Sequence, residues 1–256
     1  MNIFTRFVLE LQEMSLLVGR AARGLFRKPR YVPETIAQMD SIGVGSLTII
    51  ILTGFFTGGV LTLQTYQTLA SYGAVDQLGY LVSVSLVREL GPVLTALMVT
   101  GRVVSAISAE LGSMVVSQQI DAMRALGTDP VRKLVAPRIL ALVITLPLLT
   151  LVADVVGIGG GWTVSSLLFG LPSSMFINSV RDGITTDDII GGIIKPLFFA
   201  MLMGTIACRK GLKTEGGTVG VGRSTTSAVV MASIIVIIAD FILARALQLI
   251  LGTASS

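Results

Sequence analysis

The chain has 256 residues, of which 52% are hydrophobic and only 13% charged, and its mean hydropathy of +0.84 is too apolar for a water-soluble domain. It has no His and a single Cys, Cys208, so His/Cys metal centres, disulfides and Cys-His nucleophilic pairs are excluded. No GxxxxGK[ST] phosphate loop occurs, so this chain does not itself bind and hydrolyse ATP in that way.

In chain order, residues 1–38 come first. Phe4, Phe7, Val8, Leu11 and Met14 form an apolar stripe that Arg6, Glu10 and Glu13 interrupt. This is not a secretory signal, and the pattern predicts a helix lying in the membrane interface. Pro29 and Pro33 turn the chain into the membrane. Five apolar runs then reach the roughly 20 residues needed to cross a bilayer. Residues 42–63 hold no charge; 78–101 hold Arg88 and Glu89; 139–170 hold Asp154. Residues 189–208 hold Lys195 and Pro196, and 227–251 hold Asp240 and Arg245. The expected fold is all-α and membrane-integral, with the interfacial helix at 1–38 and five spans within 39–256.

Between the second and third runs lies SQQIDAMRALGTDPVRKLVAPR, residues 117–138. Ile120, Met123 and Leu126 recur at helical spacing, with Gln119, Asp121 and Arg124 off that stripe. Gly127 can close a helix in the left-handed conformation, and Pro130 prevents its continuation. A short amphipathic surface helix is predicted; taken alone, the segment reads equally as a plain connecting loop.

Basic residues set the orientation. Arg6, Arg20, Arg23, Arg27, Lys28 and Arg30 precede the first span, Arg124, Arg132, Lys133 and Arg138 follow the second, and Arg209, Lys210, Lys213 and Arg223 follow the fourth. The other two connections hold Asp76, Asp182, Asp187 and Asp188 against Arg181 alone. The N-terminus is therefore expected inside and the C-terminus outside. The net charge of +4 is a topology signal; no basic cluster is interleaved with stacking aromatics, and no nucleic-acid partner is expected.

Gly54, Gly58 and Gly59, like the GIGGG run at 157–161, suit close helix packing or a bend, either near a dimer axis or within one chain. The intramembrane charges each cost about 3 kcal/mol. At about 1.5 Å per residue, Arg88 and Glu89 fall near mid-membrane. Asp154 and Asp240 fall in the outer halves of their spans, and Lys195 just below the outer surface. Either they pair between helices and lock the bundle, or Arg88, Glu89, Lys195, Asp240 and Asp154 border a hydrated cavity. Arg245 reads as a snorkelling end residue. An intramembrane enzyme using Glu89 or Asp240 as a base would lack a companion His or Cys.

The stretch 86–138 contains Arg88-Glu89-Leu90-Gly91-Pro92, Gly101-Arg102, Ala109-Glu110-Leu111-Gly112-Ser113-Met114, Gln119-Ile120-Asp121-Ala122, Gly127-Thr128-Asp129-Pro130 and Val135-Ala136-Pro137-Arg138. Further on come Leu146-Pro147-Leu148, Gly157-Ile158-Gly159-Gly160, Lys195, GVGRSTT at 220–226 and Asp240-Phe241. From about residue 43 onward the chain resembles the MlaE/YrbE permeases, which work with MCE proteins in ABC-type lipid transport. It departs at Gln118-Gln119, where many relatives are acidic. The resemblance implies a non-enzymatic, cofactor-free permease: a homodimer that engages two copies of a separate ATPase and an MCE-domain protein on the outer face. It leaves room for a small accessory cytoplasmic subunit. It implies a coupling helix touching the ATPase through Gln119, Ile120, Asp121, Met123, Arg124, Leu126 and Gly127. It also implies a cavity for a phospholipid, in the service of outer-membrane lipid asymmetry or lipid trafficking. The bacterial inner membrane is the expected location. Plastid envelopes use similar permeases, but the first 30 residues are too acidic and too short of Ser for a transit peptide.

Overall fold

A computed structural model describes residues 31–251 together with Gln12 and Gly19; the interfacial helix expected over 1–38 lies largely outside the described residues. Among the described residues all regular structure is helical, with five helices long and apolar enough to cross a membrane. Helix α1 is Val32–Tyr72. The second span, Val75–Val116, is built from α2 (Leu78–Ser85), α3 (Gly91–Val99) and α4 (Ser105–Val116). Widened π-helical turns at Leu86–Leu90 and Thr100–Val104 join these three segments. Then follow α5 (Gln119–Ala125), a third π turn at Val131–Val135, and α6 (Ala136–Leu167). The described residues end with α7 (Ser173–Gly183), α8 (Thr186–Leu212) and α9 (Gly217–Leu251).

The spanning helices overrun the apolar runs that announce them. Apolarity marks the stretch that lipid or core must cover, whereas i→i−4 bonds continue through polar residues until a breaker intervenes. Two of the three π turns have such a cause two residues downstream. Pro92 follows Leu86–Leu90 and Pro137 follows Val131–Val135; a proline donates no amide and its ring crowds the carbonyl four residues back. The helix widens instead, so the Gly91 amide reaches Leu86 O and the Ala136 amide reaches Val131 O.

The chain divides into two compact units. One comprises residues up to Val44, Val99–Thr145 and Phe198–Val236. Its core is apolar, with Ile107, Leu111, Leu142, Phe199, Met203 and Ile206 buried. Here α8 packs closely on α4, since a Cβ at Gly211 would lie 2.9 Å from the Ser108 carbonyl. Arg102, in the π turn that lacks a proline, donates to Ser41 O at 3.1 Å.

The other unit comprises Gly45–Met98, Leu146–Leu197 and Ile237 onward. In it α1 crosses α6 at backbone contact: a Cβ at Gly54 would come within 2.8 Å of Ala153 O, and one at Gly58 would collide with the Gly157 backbone. Gly54 and Gly58 are thus used in close packing within one chain. The connection after α6 holds α7, which the sequence reading treated as a loop. Phe176 of α7 is buried among Leu69, Leu78, Val82 and Leu86, and the Tyr80 amide donates to Ser179 Oγ at 2.9 Å.

Candidate functional site

The second unit contains a cluster of charge that begins with Pro92. Without an amide there, the Arg88 carbonyl, four residues back, has no helical donor. Inside hydrocarbon such a group must find a partner within the protein. Lys195 of α8 supplies it: Nζ donates to Arg88 O at 2.8 Å and to Glu89 Oε2 at 2.5 Å, and lies 3.3 Å from Asp240 Oδ1 of α9. An ammonium has three protons, and three oxygens surround this one. The Lys195 side chain is 2% exposed. It ties the second span to α8 and α9.

The Arg88 side chain turns elsewhere, its Nε donating to Asp188 Oδ1. Asp188 is itself fixed, because Oδ2 accepts from the Thr185 amide at 2.9 Å and from Thr185 Oγ1 at 2.8 Å. That is the acidic half of a capping box, with Thr185 just before α8 and Asp188 three residues on. Arg88 and Glu89, adjacent in sequence, therefore do not pair with each other; each has its own partner.

Arg88, Glu89, Asp188 and Lys195 line a cavity of about 320 Å³, together with Thr185, Asp187, Gly191, Ala244, Leu247 and Gln248; Asp240 joins the group only through Lys195. Accessibility separates two kinds of charge within it. Lys195 and Asp188 are each 2% exposed, whereas Arg88 and Glu89 are 52% and 45% exposed. The buried pair of groups holds the frame, and the half-exposed pair is what a visiting molecule can reach. Ala244 and Leu247 add an apolar side.

The structure thus brings Arg88, Glu89 and Lys195 to one cavity, with Asp240 paired to Lys195 but outside the lining, and does not bring Asp154 into the group. Asp154 is buried on α6 against Gly91, its Oδ1 has no hydrogen-bond partner, and it does not line the cavity. Arg245 is exposed on α9. Sequence reasoning missed Asp188, taking 171–188 as a connection; the spacing Thr185-x-x-Asp188 before an apolar run was the readable signal.

A second set of singled-out residues lies in the first unit. Helix α5 is entered through Gln118, whose φ of 58° is left-handed, and leaves through Gly127 at φ 75°. The Thr128 amide bonds Met123 O at 2.9 Å and the Gly127 amide bonds Arg124 O at 3.0 Å, the double closure of a Schellman motif. Asp129 Oδ1 then accepts the Val131 amide at 2.9 Å, starting the third span. Ile120 is buried and Met123 half-buried, while Gln119, Asp121, Arg124 and Gly127 are exposed. Leu126, just past the last turn, is 83% exposed. Asp121 and Arg124 pair at 3.0 Å on the surface. The apolar stripe is therefore split, with Ile120 holding the helix down and Leu126 presented outward.

The family model described as Permease MlaE matches residues 35–246. The chain is 40% identical to the intermembrane phospholipid transport system permease protein MlaE of Haemophilus influenzae, over 88% of this chain and 90% of that protein. It is 38% identical to a probable ABC transporter permease protein of Rickettsia felis, over 93% and 92%. It is also 34% identical to the chloroplastic protein TRIGALACTOSYLDIACYLGLYCEROL 1 of Arabidopsis thaliana, over 93% of this chain and 68% of that protein.

Proposed function

The chain belongs to the MlaE permease family, a membrane-spanning transport subunit rather than an enzyme, and on that premise we propose that it carries phospholipid for an ATP-driven transporter. Two copies of the chain would work with two copies of a separate ATPase. The reason is stoichiometric: a motor with two nucleotide-binding subunits needs two docking helices, and one chain offers one, α5. The N-terminus and α5 lie on the cytoplasmic side of a bacterial inner membrane. The cavity lies toward the outer side, where lipid passes to or from an MCE-domain protein. The asymmetry of Lys and Arg between the two sets of connections supports this orientation.

The observation that carries the lipid reading is the division of labour around the cavity. Lys195 is 2% exposed, donates to Arg88 O and Glu89 and pairs with Asp240, so it is committed to the frame and not offered to a ligand. Arg88 is half-exposed, and its partner Asp188 keeps both Thr185 donors when Arg88 swings away. A phosphodiester can therefore take the guanidinium in a two-point contact without stranding a buried carboxylate. Acyl chains would follow the apolar side formed by Ala244 and Leu247. Closure of the ATPase dimer would push on α5, through the exposed Asp121, Arg124 and Leu126 and the half-buried Met123, and repack the spans.

The test is the lipid content of the purified complex. Wild type extracted from native membrane should carry phospholipid detectable by mass spectrometry, and Arg88→Gln should carry markedly less while binding the ATPase equally. An unchanged lipid complement in Arg88→Gln removes Arg88 from the role.

A further inference from the structure

The loop that presents α5 has a neck. Glu110 of α4 and Arg138 of α6 stand on either side of it, and Arg138 Nη2 lies 2.7 Å from Glu110 Oε1. The Arg138 side chain is only 4% exposed, and its Nη1 donates to Leu134 O at 2.9 Å, within the π turn that precedes Pro137. One guanidinium therefore fastens both the widened turn and the neighbouring helix. Besides the packing of buried Ile120, α5 is joined to the spans through these two stretches of chain. If the helices at the neck could splay, a push on α5 would be absorbed as a local spreading of 117–135. Held together, they move as one body, and both continue into long spans. The span of Glu110 is the one that carries Arg88 and Glu89.

The arrangement repeats the logic of the cavity. In both places a π turn lies two residues before a proline, and a nearly fully buried cation takes a carbonyl of that turn. In both a half-exposed glutamate completes the contact: Glu89 at 45% and Glu110 at 54%. At the cavity the cation belongs to a different span from the turn, whereas at the neck it belongs to the turn's own span and the glutamate reaches across.

We infer that Glu110 and Arg138 are positioning residues for energy coupling, closing the neck of the α5 loop so that a displacement of α5 becomes a displacement of two whole spans. The inference rests on the reading of α5 as the ATPase-docking helix. Neither residue contacts the lipid or the nucleotide in this scheme; they act through the rigidity of the loop they close.

The experiment uses the chain co-expressed with its ATPase and reconstituted in vesicles of phosphatidylethanolamine and phosphatidylglycerol. Glu110→Gln leaves a buried guanidinium without its counter-charge, so the deciding variant is the charge-neutral double Glu110→Gln with Arg138→Met. It should co-purify with the ATPase in the wild-type ratio and keep the wild-type KM for ATP. Lipid-stimulated hydrolysis and lipid transport should fall about fivefold or more, the lower edge of ordinary coupling between sites. Wild-type stimulation in the double variant overturns the brace. So does loss of the ATPase from a folded chain, since the pair would then be building the docking surface itself. Should the double variant not fold, Glu110→Asp keeps the charge but shortens its reach. Reduced stimulation is expected there, and unchanged stimulation counts against the brace. Met123→Asp is measured in parallel. If it too leaves an active complex unaffected, α5 is not the docking helix and the underlying reading fails. If it uncouples while the neck variants do not, the brace alone fails.

Discussion

Replacing Lys195 with Met should damage the fold, whereas replacing Arg88 with Met should damage transport and spare the fold. The Lys195 ammonium is 2% exposed and is shared among Arg88 O, Glu89 and Asp240 at 2.5–3.3 Å. Its removal leaves two carboxylates facing each other and a carbonyl that Pro92 has already deprived of a donor. Taking one partner from a buried charged group costs about 3–5 kcal/mol. Arg88 is different: its side chain is half-exposed, and Asp188 retains two hydrogen bonds from Thr185 after it is gone. A pair whose cation is half-exposed and whose carboxylate keeps two other donors contributes less, about 1 kcal/mol. Unfolding in mixed detergent, followed by the fluorescence of Trp162, the only tryptophan, measures both variants on one scale. Lys195→Met should fall below wild type by the larger amount, and Arg88→Met should stay within about 1 kcal/mol of it while failing to move lipid. Equal destabilisation of the two variants would refute the division into a framing cation and a ligand-reaching one. So would a stable Lys195→Met.

Met123→Asp puts a charge where α5 is half-buried and should abolish lipid-stimulated ATP hydrolysis; pull-down of the ATPase and its turnover in vesicles check this. Gly58→Leu drives a side chain into the Gly157 backbone and should cost at least about 1–3 kcal/mol of stability, read by the same unfolding assay. Because the glycine face is used within the chain, Thr57→Cys should remain uncross-linked between chains under oxidation. Pro92→Ala supplies an amide for Arg88 O and releases one of the three contacts of Lys195. It should leave the chain folded but shift lipid binding, as seen by native mass spectrometry of the complex.

Which features were legible in the sequence follows from their range. The spans could be read because apolar runs report directly on the solvent a helix must face, and α5 because Gly127 and Pro130 punctuate it locally. The helix ends could not, since polar residues at 32–41 or 217–226 continue a helix as readily as they end one. Helix α7 was passed over although Phe176, Ile177 and Val180 follow Pro172 at helical spacing; its short length and charged end made it look like a loop. Around Lys195, depth reckoning placed Arg88, Glu89 and Asp240 at overlapping levels. Depth says nothing about azimuth, so Asp154 at a similar level was grouped with them, yet it lies on a different face against Gly91. Nor could spacing tell that Arg88 and Glu89 diverge. A π turn inserts an extra residue and changes the facing of everything around it.

Pro92 therefore does more than kink a helix. A proline in a water-exposed helix strands a carbonyl that water can satisfy; in a span the donor must come from the protein. A lysine is the donor with reach, but its charge is costly in that setting unless acids accompany it, and Glu89 and Asp240 do so. The charge at this depth is then a consequence of the broken ladder, and it leaves Arg88, the residue whose carbonyl was stranded, with its side chain turned into the cavity. On the proposed reading, the phosphodiester meets there a cation that can change partners. The proline supplies the place, Lys195 compensates the backbone, and Asp188 with Thr185 holds Arg88 without depending on it. Removing the carbonyl demand should thus alter which cation the lipid meets even though Pro92 itself touches no lipid.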